Sequence, residues 1–289
     1  MEDGRVAVRC GGAAARVLRV CRPVADLDRA EAFYCAGLGF RRVPDLPPDP
    51  GLPALLGLPG TSVTQRLLHL GAEQVALVRL DPPGPAYPPG SRSDDLWFQH
   101  LAVVVDDMEA AFHRVAAQAP AAISAGPPVR LPPRNGSVSA WKFRDPDGHP
   151  LELIHFPPGQ GRAAWHGGQP GPCLGIDHSA LAVSGTARGL RFYRRLGFRP
   201  QSRTWNRGPA QSRLDGLPGA RLRVTGLRLP GSAGMGLELL AYHPPGRPMP
   251  PGGADAAWAD WVTLLCPGLP APRMVQDPDG HRLMLTGAG

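Results

Sequence analysis

DPDGHPLELIHF at residues 145–156 and DPDGHRLMLTG at residues 277–287 read as two copies of one device, an acidic turn that opens a short strand of alternating apolar residues. They differ at one chemically telling place, where the first strand carries Glu152 and the second carries Met284. A turn kept twice around a carboxylate kept once points to a repeated fold whose copies do not share one chemistry.

Upstream of these turns, three stretches share a layout: ARVLRVCRPVADLDRAEAFYCAGLGFRRV (15–43), WFQHLAVVVDDMEAAFHRVAA (97–117) and GIDHSALAVSGTARGLRFYRRLGFRP (175–200). In each, a strand of period two gives way to a polar cap and then to apolar residues at helical spacing. Asp26 or Asp28 is the expected cap of the first helix and Thr186 that of the third, while Gly39 and Gly197 close them in LGF. The later strands repeat as well, TQRLLHLGAEQVALVRLDPPG (64–84) against TGLRLPGSAGMGLELLAYHPPG (225–246), and each leads through prolines to a tryptophan, Trp97 or Trp258. After WADWVTLLC (258–266), the segment PGLPAPRMVQ leaves no room for a helix, so the fourth copy is eroded.

The pattern predicts an α+β fold of repeated βαβββ modules paired into two cup-shaped mixed sheets, because a small sheet with exposed edges needs a partner. The expected boundaries are modules 15–84 and 95–158 in a first pair (15–160), a linker at 161–173, and modules 174–246 and 255–287 in a second pair (174–289).

Composition narrows the function classes. The 289 residues include 37 Gly and 36 Pro clustered between brief apolar runs, as expected of a folded chain with many turns. No apolar run approaches a membrane span and MEDGRVAVRCGG lacks a signal-peptide pattern, so a cytoplasmic protein with no membrane partner is expected. Cys10, Cys21, Cys35, Cys173 and Cys266 form no CxxC pair, which predicts reduced thiols rather than a disulfide frame or a thiolate zinc site. The formal charge of +7 favours anionic partners, and a small anionic substrate accounts for it as well as nucleic acid does; without a lysine-rich tail or interleaved aromatic and basic residues, no nucleic acid partner is expected. GxGxxG, P-loop, HExxH and hydrolase-triad signatures are missing from the sequence, so no cofactor-binding residues are assigned.

LDRAEAFYCAGLGF, HLAVVVDDMEAAF, DHSALAVSGTARGLRFY and DPDGHPLELIHF together resemble the vicinal oxygen chelate superfamily in its four-module single-chain form. That superfamily includes glyoxalase I, methylmalonyl-CoA epimerase, extradiol dioxygenases, and fosfomycin and bleomycin resistance proteins, and the resemblance spans about residues 15 to 286. It implies one metal ligand at the start of a module's first strand and another in its last strand. The matching positions are Arg19 and Ala76, then His100 and Glu152, then His178 and Glu238, then Trp261 and Met284. If modules one and two share a cup, both cups are half sites. If the inner modules share one cup and the outer modules the other, the first cup collects His100, Glu152, His178 and Glu238 and the second has no ligand.

Two imidazoles and two carboxylates suit one divalent transition metal ion, whether Zn, Ni, Co, Mn or Fe. The implied activity is that of a metal-dependent lyase or isomerase of glyoxalase or epimerase type acting on a small molecule, with Glu152 or Glu238 abstracting a proton next to a carbonyl. The alternatives are a metal-free binding or drug-sequestering protein and an extradiol-type dioxygenase, which needs two histidines and one glutamate around iron. Either a monomer or a homodimer satisfies the four-module plan. His149 and His281 are expected to hydrogen-bond within their turns, Tyr34 and Tyr193 to pack in the core or between modules, and Arg19 to meet either an anion or a buried ion-pair partner, in an outer cup that is filled core in preference to a metal-free pocket.

Overall fold

Alternation and capping place the elements. In the first module, strand β1 (Arg16–Pro23) runs into Asp26, whose side chain accepts a hydrogen bond from the Arg29 amide and starts helix α1 (Leu27–Leu38). Gly39 stops that helix at φ 75°, a left-handed conformation that costs glycine nothing. Strand β2 (Arg41–Arg42), the short helix α2 (Leu52–Leu55) and strands β3 (Ser62–Leu70) and β4 (Glu73–Asp81) complete the module. The second comprises β5 (Gln99–Val105), α3 (Met108–Ala116), β6 (Val129–Arg130), β7 (Ser139–Arg144) and β8 (Pro150–His155). The third comprises β9 (Cys173–Ala182), α4 (Thr186–Arg195), β10 (Arg199–Arg207), α5 (Pro209–Asp215), β11 (Arg221–Arg228) and β12 (Gly236–Tyr242). The fourth has only β13 (Trp261–Leu265), β14 (Arg273–Gln276) and β15 (Arg282–Thr286), with no helix among its described residues.

The computed structural model describes residues 15–44, 48–167, 171 and 173–287; the expectations placed on Cys10, on the first residues and on 168–170 and 172 of the linker lie outside them. Two mixed sheets result. One has the order β14-β15-β13-β1-β4-β3-β2, the other β10-β11-β12-β9-β5-β8-β7-β6. The outer modules therefore share the first sheet and the inner modules the second, so each half of the chain contributes one module to each sheet. Antiparallel pairs join the modules at their first strands, β1 with β13 and β5 with β9, and each first strand pairs in parallel with its module's last. Between the sheets lies one apolar core that includes Phe33, Tyr34, Leu101, Phe143, Tyr193 and Leu285. Each such side chain, fully buried, contributes roughly 1.5–3 kcal/mol. No helix among the described residues is long and apolar enough to cross a membrane.

The repeated turn proves to be a clasp between sheets. Asp145 Oδ1 accepts from the amides of Asp147 and His149, while its Oδ2 accepts from the Tyr34 hydroxyl at 3.0 Å. Asp277 does the same with Asp279, His281 and the Tyr193 hydroxyl, also at 3.0 Å. His149 and His281 thus bond within their turns through their amides, as expected, but their imidazoles reach beyond the turn. His149 Nε2 reaches the Pro23 carbonyl and His281 Nε2 the Ala182 carbonyl, each at 2.8 Å, at the ends of β1 and β9 in the neighbouring module. Each ring crosses from its turn to a strand-end carbonyl of the other sheet. This explains why the turn is kept twice: each copy ties a module to its chain neighbour across the two sheets.

The first clasp is also charged. His149 Nδ1 lies 2.9 Å from Asp260 Oδ1, and the wholly buried Arg22 sits 3.2 Å from Asp260 Oδ2 and donates to Tyr34 and to the Pro150 carbonyl. Burial alone would lower the His149 pKa, but Asp260 and Asp145 outweigh it and raise it above the ordinary imidazole value. Folding therefore binds a proton, and the stabilisation is fully present below about pH 6.5 and lost as pH rises through the raised value. Replacing His149 with Gln should accordingly destabilise the chain more at pH 6 than at pH 9 in urea melts; an equal loss at both would contradict the charged clasp.

Three further expectations are corrected. Thr186 does not cap α4: Gly185 occupies that position without a side-chain bond and Thr186 is the first helical residue. Cys21, Cys35 and Cys173 are free thiols, but Cys266 is disulfide-bonded. The expected βαβββ plan has one helix per module, whereas the third module has a second, α5, which packs against β6, β7 and β10 at the two ends of the inner sheet. The outer cup is filled, with Cys21, Leu67, Ala76, Trp261 and Met284 packed together under Leu52 of α2.

Candidate metal centre

The register of the four central strands of the inner sheet dictates the site. His100 pairs opposite Ala180 and His178 opposite Ala102 across the antiparallel β5/β9 seam; Glu152 lies beside Ala102 on β8 and Glu238 beside Ala180 on β12. Two imidazoles and two carboxylates thus surround two alanines, whose methyl groups leave space between them. In the outer sheet the same register sets Cys21 between Trp261 and Ala76, with Arg19 and Met284 flanking Thr263.

All four sequence-derived positions are brought together. His100 Nε2 lies 2.9 Å from Glu152 Oε2, and His178 Nε2 lies 4.0 Å from that oxygen and 3.4 Å from Glu238 Oε2. One ligand atom each from His100, Glu152 and His178 falls within 4.8 Å of the others. His100, Glu152 and His178 are buried, whereas the Glu238 side chain keeps 24 % of its surface exposed, so access from solvent is at Glu238. Both imidazole Nε2 atoms and His100 Nδ1 are buried without a hydrogen-bond partner among the described residues. A buried orphan nitrogen is costly, and two aimed at one carboxylate oxygen fit a divalent cation better than they fit each other.

Electrostatics sorts the four groups. Burial pushes His100 down to about 4 despite Glu152, so it is neutral and able to ligate. Burial opposes ionisation of Glu152, yet Lys142, His100 and His178 together hold it at about 2. Burial likewise works against a charged His178, but Glu238 and Asp177 lift it to about 9. Burial raises Glu238 above the ordinary carboxylate value. A divalent ion here would take the place of the His178 proton.

Sequence reasoning missed three residues around these four. Asp177 Oδ2 lies 3.0 Å from His178 Nδ1, which orients the ring so that Nε2 faces the site. Strict alternation would send the side chains of Asp177 and His178 to opposite faces. The register skips Asp177, however, passing from Ala102 opposite His178 to Val103 opposite Ile176, and this β-bulge re-aims the carboxylate. The outer sheet keeps the bulge at Leu18 and lacks the acid. Lys142 sits opposite Glu152 on β7, and its ammonium donates to Asp215 Oδ1 of α5 at 2.8 Å. The signal for Lys142 was available: it is the sole lysine among 31 basic residues.

Residues 16–153 match the family model described as the glyoxalase/bleomycin resistance protein/dioxygenase superfamily. Glyoxalase I from Zea mays is similar over 94 % of this chain and 92 % of that one, at 16 % identity and a TM-score of 0.58. A candidate dioxygenase from Bacillus subtilis subsp. subtilis str. 168 is similar over 93 % of this chain and 84 % of that one, at 13 % identity and a TM-score of 0.56. At such identities the likeness is one of fold. No curated protein matches the sequence.

Proposed function

We propose that this chain, whose residues 16–153 match the glyoxalase/bleomycin resistance protein/dioxygenase superfamily, is a metal-dependent lyase or isomerase of glyoxalase or epimerase type, using one divalent transition metal ion. His100, Glu152, His178 and Glu238 would hold the ion. The observation that carries this reading is their convergence in one sheet, against Arg19, Ala76, Trp261 and Met284 at the equivalent places in the other.

A bound divalent ion would supply Lewis acidity to a substrate carbonyl. The chain's own residues divide the remaining work. Glu152, held ionised by the Lys142 ammonium and the two histidines, is a weak base and acts as a permanent anion. Glu238 combines a raised pKa with the one partly exposed side chain of the four, so it takes the proton next to the carbonyl and returns it to the product. Asp177 keeps the His178 ring in register throughout. Replacing Glu238 with Gln should therefore lower turnover of a hemithioacetal or an epimerisable thioester by about 100-fold or more while leaving bound metal largely in place. Unchanged turnover would remove Glu238 from the base role.

A dioxygenase reading has one specific support, since His100, His178 and Glu152 form a two-histidine, one-carboxylate set. Glu238 beside His178 is superfluous to that chemistry. Oxygen uptake on catechols by the iron-loaded chain, unaffected by Glu238→Gln, would favour it over the lyase.

A further inference from the structure

Away from the cup, the positive charge of the chain is concentrated in one place. Residues 185–228 carry eleven arginines and a single acidic residue, Asp215, so the rest of the sequence is net acidic. In the fold that segment forms α4, β10, α5 and β11, and Asp215 is turned inward to Lys142. A groove of about 400 Å³ is lined by residues of α4, β10 and β11, namely Arg191, Arg194, Arg203 and Arg223 with Thr186 and Leu190. All four guanidinium groups belong to exposed residues, and none makes an ion pair among the described residues.

The surroundings are organised against themselves unless an anion is present. Arg207 faces Arg221 directly across the β10/β11 pair, a like-charge cross-strand contact that is destabilising. Arg191 and Arg194 are three residues apart on α4, a second like-charge pairing. Beside the groove stands Trp205, 37 % exposed and the one large apolar side chain so exposed among the described residues. It lies opposite Arg223, whose guanidinium carbon is 5.8 Å from its ring, and its other neighbour is the His243 ring at 5.1 Å. Trp205 and Arg203 are alternate residues of one strand, so about 7 Å separates them on the same face, which is the reach of a ribose between a base and its phosphates.

We propose that this groove is a binding site for a nucleotide bearing two or more phosphates, with the phosphates among Arg191, Arg194, Arg203 and Arg223 and the base stacked on Trp205. Guanidinium forks match phosphate oxygens bidentately, and an indole face accepts any base. The concave shape favours a compact polyphosphate over an extended strand. The groove lies on the helix-bearing face of β10 and β11, while Glu238 and its register partner Gly226 face the cup, so the ligand here is distinct from whatever the metal centre acts on.

Isothermal titration of the purified full chain at low ionic strength, with ADP, AMP, inorganic tripolyphosphate and a 20-nucleotide oligo-dT, tests the assignment. ADP should bind at least about 10-fold more tightly than AMP and weaken by at least about 10-fold in Arg194→Ser/Arg223→Ser, as expected when charge-assisted phosphate contacts are lost. Trp205→Leu should weaken ADP and leave tripolyphosphate unchanged, and Glu238→Gln should bind ADP like the parent chain. ADP affinity unaffected by the double arginine change, or no binding, would overturn the site and leave the arginines as guards of an edge strand. Tripolyphosphate binding as tightly as ADP would overturn the nucleoside part, and oligo-dT binding far more tightly than ADP would replace the nucleotide with a single strand.

Discussion

Replacing His178 with Ala should reduce bound divalent metal from about one equivalent to near background, a loss of at least about 100-fold in affinity, when the chain is dialysed against low-metal buffer and analysed by inductively coupled plasma mass spectrometry. His178 lies within 4.0 Å of both carboxylates, at 4.0 Å from Glu152 and 3.4 Å from Glu238, and Asp177 fixes its ring. Its removal leaves His100 with Glu152 on one side and an isolated Glu238 on the other. Asp177→Asn keeps the ligand but loosens its orientation, so a smaller loss of about 10- to 100-fold is expected. Met284→Glu adds a carboxylate to the filled outer cup and should leave metal content unchanged. A His178→Ala chain that retains a full equivalent would refute the four-residue centre.

The second large effect concerns folding. Lys142→Met should cost about 3–5 kcal/mol in urea unfolding, because it leaves the Asp215 carboxylate buried without its cation. The side chains of the pair are 4 % and 0 % exposed at a distance of 2.8 Å, so solvent cannot compensate. Asp215 also accepts from Gln211, and Ser93 donates to the Asp215 carbonyl, so the damage spreads through the helix that bridges the ends of the inner sheet. Changing both partners, in Lys142→Met/Asp215→Leu, should recover most of the loss, since two apolar side chains replace a desolvated ion pair at little net cost. If the double change is as unstable as the single one, the pair is not what holds α5 in place.

The modules were legible because strand alternation, caps and LGF stops are local signals, and Asp26 and Gly39 do what their residue types suggest. The four candidate ligands were legible through family resemblance and through the contrast of Glu152 with Met284. Which modules meet was not, since either pairing satisfies the same alternation; only the sheet order decides it. The bulge at Asp177 escaped notice because one extra residue in a strand has no compositional mark. Helix α5 escaped because PAQSRLD is a single brief run whose stability comes from β6, β7 and β10 rather than from its own propensity. The excess of arginine over 185–228 was legible in the sequence, but the groove was not, because its members lie on three elements that only the fold brings together.

The clasps and the sheets bind different neighbours. Each DPDGH turn joins modules adjacent in the chain, whereas each sheet joins modules that are not paired by a turn. The four modules therefore close into a ring. Two separate copies of a two-module chain arranged in such a ring would be related by a twofold axis, and every substitution in one cup would appear in the other. Carrying both halves on one polypeptide removes that obligation: one cup is free to accept Arg19, Trp261 and Met284 as packing while its twin keeps its donors. The covalent link is thus a licence for asymmetry, through which one half of the ring specialises in rigidity and the other in chemistry.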